Sequence, residues 1–278
     1  MRLTFILLAA ITGVYLMVLA FIFVSQDRLF SNSPSELRYT PDDYGLSPED
    51  IWVETSDGVN LHGQFFPNER AELTVIYAYD NRGKIGAGIG MAEILLNSGA
   101  SVFMYHHRGT GQSGGSFSEE GFYRDIEAVV RKLRSEKGYD ENDMVIYGRA
   151  VGGAVAAFAA TQFNLRGLVL DSAFLNYQAM FRDRYPFVPS GLAKYEFPAD
   201  RFLGEVQELP VMIMHSPDDE VAGFHHGKGL YDILDQPKML IELNGGHIES
   251  FMVSREIIEQ SWAFYIATLC SRCRMYMN

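Results

Sequence analysis

The sequence predicts an α/β domain with a mostly parallel central sheet flanked by helices and opened by an antiparallel hairpin, behind one N-terminal transmembrane helix. Three observations predict it. From Leu73 onward, short apolar runs alternate with helical stretches, the order that builds parallel sheets covered on both faces. Met144–Ala157, MVIYGRAVGGAVAA, reads as a strand, a sharp turn and an alanine-rich helix. Leu3–Val24 carries no charged residue over 22 positions, enough at about 1.5 Å per residue to cross a hydrocarbon core of roughly 30 Å.

Taken in order, residues 1–26 form the membrane anchor. It reads as uncleaved, because Val24-Ser25-Gln26-Asp27 offers no small-x-small cut site. Arg2 stands on one side of the span and Arg28 and Arg38 on the other, a weak bias read as tail inside and domain on the extracytoplasmic side. Residues 27–49 are polar, carry Pro34, Pro41 and Pro48, and read as a linker to the domain at 50–278. Ile51–Glu54 and Asn60–Phe66 flank Ser56-Asp57-Gly58, a hairpin signal. The expected strands that follow are Leu73–Tyr79, Ser101–Tyr105, Val145–Tyr147, Gly167–Leu170, Val211–His215 and Met239–Leu243. The expected helices are Ile89–Leu96, Glu119–Glu136, Val151–Gln162, His226–Leu234 and Glu249–Leu269. The strand ends in such a sheet carry the site.

At 278 residues, 47% hydrophobic and 21% charged, the composition is ordinary globular material. The net charge of −12, with no cluster of Lys or Arg, excludes a nucleic-acid-binding face, which needs a basic stripe. Cys270 and Cys273 form a lone C-x-x-C at the end of the last helix. They lack metal-ligand partners and the βα context of a redox pair, so they read as structural or incidental, and could close a disulfide in an oxidising compartment.

The chemistry gathers at three strand ends. In a G-x-S-x-G corner a nucleophilic serine sits on a strained strand-to-helix turn, with glycines giving clearance on either side. The frame here is Gly148, Arg149, Ala150, Val151, Gly152, and the corner residue is alanine. Val211–His215 runs into Ser216-Pro217-Asp218-Asp219, and Met239–Leu243 runs into Asn244-Gly245-Gly246-His247. The chain order nucleophile, acid, histidine makes His247 the candidate base and Asp219 the group that holds its tautomer.

These motifs, with Tyr105-His106-His107-Arg108-Gly109-Thr110-Gly111-Gln112-Ser113-Gly114-Gly115 and Tyr185-Pro186-Phe187, resemble the α/β-hydrolase superfamily, specifically membrane-anchored serine hydrolases of the serine-aminopeptidase-like branch. The resemblance covers Asp42 to about Tyr265. It implies an α/β-hydrolase fold with a minimal cap, since Ala173–Leu209 is short for a cap domain, and a fairly open cleft for a small acyl or peptide ligand. No cofactor and no metal are expected. The sequence departs from the family twice. Ala150 replaces the serine, a loss worth about 10⁶ in turnover, or about 8 kcal/mol of barrier. Tyr79-Asp80-Asn81 replaces His-Gly-Asn in the oxyanion-hole region, which the family completes with the N–H here at Val151. A carboxylate from Asp80 about 5 Å from an oxyanion would oppose it by roughly 3 kcal/mol at an effective dielectric near 20; Asp80 could also point away or pair with Arg82.

Ser113, Ser172 and Ser216 lie near strand ends without a glycine-flanked corner and read as turn-capping residues. The pairs His106-His107 and His225-His226 are expected to point apart, as adjacent residues in loops do, and not to hold a metal. Two function classes remain. One is a natural pseudohydrolase that binds a ligand or protein partner without turnover; the other is an active esterase, thioesterase or peptidase inactivated at Ala150. Tyr79-Asp80 favours the first, because an inactivating substitution would touch only the serine.

Overall fold

Eight strands form one sheet in the order β1-β2-β4-β3-β5-β6-β7-β8, in a computed structural model that describes residues 1–27, 40–78 and 85–270. The strands are β1 (Glu49–Glu54), β2 (Asn60–Phe66), β3 (Thr74–Ala78), β4 (Ser101–Tyr105), β5 (Met144–Arg149), β6 (Gly167–Asp171), β7 (Val211–His215) and β8 (Lys238–Glu242). β1, β2 and β4 pair antiparallel, and every other pairing is parallel. The hairpin turns where expected: Thr55 Oγ1 donates to Asp57 Oδ1 at 2.6 Å and accepts from Val59 N at 3.0 Å, while Gly58 takes a φ of 81°.

The five central strands from β4 to β7 are buried along their length, apart from a half-buried Arg149 at the end of β5, because helices cover both faces. Alternate residues divide between them, as a pleat requires. Met144 and Ile146 face a core built with α3 (Glu119–Glu136) and α4 (Val151–Gln162). Val145 and Tyr147 face the other core, with α2 (Ile85–Asn97) and a C-terminal helix that supplies Ile258, Trp262 and Tyr265.

The expected elements recur within a few residues, with three differences. The chain between β6 and β7 holds two short helices, α5 (Tyr177–Arg184) and α6 (Ala199–Glu205), and a 3₁₀ turn at Ser190–Leu192; together they make the small cap. After β7, α7 spans Phe224–Ile233. The single helix expected over Glu249–Leu269 is two, α8 (Ser250–Val253) and α9 (Arg255–Leu269). The break falls at Ser254, whose Oγ accepts from Asn244 N at 2.7 Å and donates to Asn244 O at 3.2 Å, binding that turn to the loop after β8. Such side-chain bonding to backbone competes with the helix ladder.

At the N-terminus α1 (Arg2–Ser25) has no buried residue over 24 positions, about 36 Å of helix. Its last turn meets the cap. Gln26 is 1% exposed, so the residue read as the last of the anchor is packed into the folded domain. Of the expected linker, residues 28–39 lie outside the described residues, and Pro41–Tyr44 forms a 3₁₀ turn closed by a capping box between Thr40 and Asp43.

The corner after β5 is the tightest place in the fold. A Cβ on Gly148 would lie 2.1 Å from the carbonyl oxygen of Gly152, and one on Gly152 would lie 1.9 Å from that of Ala78. Both collisions are with backbone, which has no rotamer to yield. Gly148→Ala is expected to destabilise the domain by about 3 kcal/mol or more, whereas Gly191→Ala, which meets nothing within 4 Å, is expected to leave the melting temperature within about 2 °C; thermal denaturation of the two variants in detergent checks the contrast.

Candidate active site

β5 ends at Arg149, α4 begins at Val151, and Ala150 between them adopts φ 50° and ψ −116°. A non-glycine residue in that region is strained by roughly 1–3 kcal/mol. The glycine contacts press the first turn of α4 against β3 and β5, and Ala150 N is held by Asp171 O at 2.9 Å while its own carbonyl accepts from Gly153 N at 3.0 Å. The chain thus turns sharply from strand to helix with the methyl group of Ala150 at the corner. Val151 opens α4, so its N–H belongs to the positive end of the helix dipole. Asp80 and Asn81, with Tyr79 and Arg82, lie outside the described residues.

Asp219 and His247 come together from the ends of β7 and β8. His247 Nδ1 and Asp219 Oδ2 are 2.7 Å apart and both side chains are buried. A carboxylate can only accept, so the proton sits on Nδ1 and Nε2 of the neutral ring carries the basic lone pair. The other carboxylate oxygen accepts from Val221 N at 2.9 Å and Ala222 N at 2.8 Å. Burial by itself would raise the Asp219 carboxyl, but the bonds from His247, Ala222 and Val221 outweigh it and hold it below the ordinary value. Asp218 makes no such contact: it is exposed, and its N–H donates to Ser216 Oγ at 3.1 Å. His215, buried below, binds Ala222 O through Nε2 at 2.6 Å, and burial lowers its pKa.

A hub beneath the corner escaped sequence reasoning. Asp171, at the end of β6 and fully buried, receives Tyr147 Oη at 2.5 Å and an Arg149 guanidinium nitrogen at 2.8 Å on one carboxylate oxygen, and Ser172 Oγ at 2.9 Å on the other. The second Arg149 terminal nitrogen donates to the backbone carbonyl of His247. One side chain from the corner therefore holds the histidine loop. Burial, followed by the Asp171 charge, pushes the Tyr147 phenol well above its ordinary value, so it stays a donor. The signal in the sequence was an arginine closing a buried strand, which demands a buried carboxylate nearby.

The alternative nucleophiles behave as turn residues. Ser113 Oγ donates to His106 O at 2.6 Å and accepts from His62 N at 2.9 Å, Ser172 is spent on Asp171, and Ser216 bonds Gly245 O. His106 and His107 do point apart, stacking on His62 at 5.6 Å and on Phe122 at 4.2 Å. His225 and His226 do not, contrary to expectation. Both lie in the first turn of α7, where successive side chains splay by about 100° around the axis, and both Nε2 atoms reach Asp183 Oδ2 on α5, at 2.7 and 3.2 Å. These three can gather their ligand atoms within 4.8 Å. However, Leu175 N donates to His226 Nδ1 at 3.3 Å, which puts the proton of the neutral ring on Nε2, facing the carboxylate. A metal ligand there needs the opposite tautomer, so the trio fits a carboxylate set between two imidazoles, with His225 Nε2 hydrogen-bonded to it, better than it fits a cation. Cys270 lies at the end of α9, 2% exposed, and Cys273 is outside the described residues.

A mixed eight-stranded sheet with a strained corner after its central strand and an acid–histidine pair at later strand ends defines an α/β-hydrolase fold. An esterase of Pyrococcus furiosus superposes with a TM-score of 0.71 over 85% of this chain and 96% of its own, at 19% identity, a likeness of fold. The profile of the family described as Serine aminopeptidase, S33, matches residues 84–204. The uncharacterized protein YfhR of Salmonella typhimurium is 31% identical over 237 residues, covering 77% of this chain and 80% of the relative. An uncharacterized membrane protein of Saccharomyces cerevisiae is 30% identical over 199 residues, 69% of this chain and 70% of its own. The chain belongs to the S33 serine aminopeptidase family of α/β hydrolases.

Replacing Arg149 by methionine keeps the alkyl stem and removes the charge that faces Asp171. The variant is expected to lose about 3 kcal/mol, because a buried carboxylate is left with only neutral donors; urea denaturation of Arg149→Met beside Asp171→Asn checks this, and equal loss in both would locate the energy in the pair.

Proposed function

We propose that this chain is a membrane-anchored, non-catalytic pseudohydrolase, in which Ala150, His247 and Asp219 keep the layout of a catalytic triad without its nucleophile and the cleft binds a small acyl or peptide ligand or a protein partner. The observation that carries it is a methyl group, that of Ala150, at the strained strand-to-helix corner after β5, in a sheet whose later strand ends hold an oriented acid–histidine pair. Acyl transfer needs an oxygen or sulfur at that corner to attack the carbonyl carbon, and His247 has no hydroxyl there to deprotonate. The neighbouring serines do not replace it, since each hydroxyl is committed to a turn or to Asp171.

With a serine restored at 150, the parts have definite roles. Its Oγ would attack the acyl carbon as its proton passes to His247 Nε2, and the imidazolium would be stabilised by Asp219 through Nδ1–H. The tetrahedral oxyanion would face the Val151 N–H and a donor near Asn81, and the proton would then go to the leaving group. The second reading is an active esterase, thioesterase or peptidase inactivated at one position. The intact His247–Asp219 bond favours it, for an oriented base with no nucleophile to activate gains nothing from its orientation. Against it stands Tyr79-Asp80, where the family carries His-Gly.

As it stands, the chain is expected to show no fluorophosphonate labelling at 150 and negligible hydrolysis of activated acyl esters. Ala150→Ser is expected to remain poorly reactive, and Ala150→Ser with Tyr79→His and Asp80→Gly to gain at least about 10³-fold over it. Initial ester-hydrolysis rates of the two variants decide the matter: robust activity in the single variant overturns the pseudohydrolase reading and supports the inactivated enzyme.

The anchor reading rests on α1, long and apolar enough to cross a membrane, and on the relative named as a membrane protein. The domain is assigned to the extracytoplasmic side from the charges flanking the span. The full chain is expected in the pellet after high-speed centrifugation and in the supernatant only with detergent; recovery without detergent would remove the anchor from the proposal.

A further inference from the structure

We propose that the cap turn Tyr185–Pro189 is inserted in the lipid bilayer beside α1, so that the anchor holds the domain in one fixed orientation with its cap against the membrane. The inference rests on the reading of α1 as a membrane span. Its first support is the joint between helix and cap. The Gln26 amide donates to Leu192 O at 2.9 Å and accepts from Lys194 N at 2.9 Å and Tyr177 Oη at 3.3 Å. Asp27 receives Lys194 Nζ at 3.0 and 3.1 Å and the Tyr195 hydroxyl; the Tyr195 bond first, then Lys194, holds its carboxyl below the ordinary value. Lys194 Nζ also stands 4.8 Å from the ring centre of Phe23, and Ile22 packs on the domain core. A helix attached by a free linker would make none of these contacts.

The second support is depth. Tyr15 Oη donates to Phe187 O at 2.8 Å. Tyr15 precedes Ser25 by ten residues, about 15 Å along the axis away from the domain. With Asp27 and Lys194 at the level of the headgroups, a contact that far up the helix brings Phe187 past them into the acyl chains, the depth at which interfacial segments bury their apolar side.

The turn suits that medium. Phe187 is 86% exposed in the protein alone, an apolar ring with no protein surface to cover it. Pro186 and Pro189 have no N–H to leave unbonded; Tyr185 N and Val188 N donate to Phe181 O and Tyr185 O, both at 2.9 Å, and Tyr15 satisfies the Phe187 carbonyl. Backbone donors that cannot find water in a bilayer are thus mostly absent or bonded. The rim is also basic: residues 177–194 carry Arg182, Arg184 and Lys194 against Asp183, and Asp27 pairs with Lys194, in a chain of net charge −12. Asp183 is in turn bonded to His225 and His226. An aromatic tip inside a cationic rim matches a bilayer bearing anionic headgroups.

The test uses the full chain in phosphatidylcholine–phosphatidylglycerol vesicles, with the phosphatidylcholine brominated near the headgroup or near the chain end. Phe187→Trp is read as its difference from the parent, and Leu8→Trp, on the span and away from the cap, reports the anchor. Expected from Phe187→Trp is a blue-shifted emission that shallow bromines quench to roughly half or more of the loss that deep bromines cause in Leu8→Trp, and weaker quenching when Tyr15→Phe removes the hydroxyl. With the Leu8→Trp signal quenched, a cap-turn indole that emits as in water overturns the proposal. So does a blue-shifted cap-turn indole that bromine does not touch, which would mean that a second copy or another segment covers the turn. An unquenched Leu8→Trp variant defeats the anchor reading itself and the proposal with it.

Discussion

No methyl group fits between the end of β5 and the first turn of α4, and most of the site depends on that exclusion. Two backbone carbonyls, those of Gly152 and Ala78, occupy the space where the Cβ atoms of residues 148 and 152 would be. Helix and sheet can approach this closely only with glycine at both positions, and the approach leaves the chain one way round the corner, with Ala150 at φ 50°. The strain at one residue is of order 1–3 kcal/mol, small against the apolar surface that α4 buries on the sheet. The sharp corner is therefore a consequence of packing and needs no reactive atom at residue 150.

The same packing explains the buried charge below it. Arg149 is drawn under the corner by the course of β5, and a guanidinium there requires a partner. Asp171 supplies it from the neighbouring strand, in register with Arg149, and Tyr147 and Ser172 fill its remaining acceptor positions. A pair of this kind contributes little net stability compared with an apolar replacement, but breaking it is costly. What it supplies is position: by reaching the His247 carbonyl, it ties a loop after β8 to a corner after β5. Asp219 holds the imidazole ring from the other side. The histidine is constrained through both backbone and side chain before any ligand arrives.

The cap connects this rigid centre to α1. α5 leans on α7 through Asp183 and the two histidines, while the segment following α5 takes up Gln26, Asp27 and Tyr15. The cap is thus the element through which the end of α1 and the sheet are mechanically joined. A short cap suffices for this, because its polar contacts are made by a few buried or half-buried groups, and its exposed apolar tip stands on the same side as the helix.

The sheet and the order of its parts are legible in the sequence. Continuous apolar runs such as Val211–His215 and the amphipathic Glu119–Glu136 are local patterns, and the parallel crossovers between them permit few topologies. Ala150, Asp219 and His247 came forward for the same reason, because glycine-flanked corners and strand ends can be read from the chain alone. Packing settled whatever depended on partners distant in the chain. Asp171 was an ordinary strand residue until Arg149 and Tyr147 faced it, 22 and 24 residues away. Ser254 broke the last helix because Asn244 lay beside it. His225 and His226 converged because the helix began two residues earlier than expected, at Phe224, with Asp183 waiting on another element. Gln26, read as the end of an anchor, became part of the cap through groups more than 150 residues on. Periodicity reports which face of an element is apolar; which polar group meets which is set by how those faces pack, and no local pattern records it.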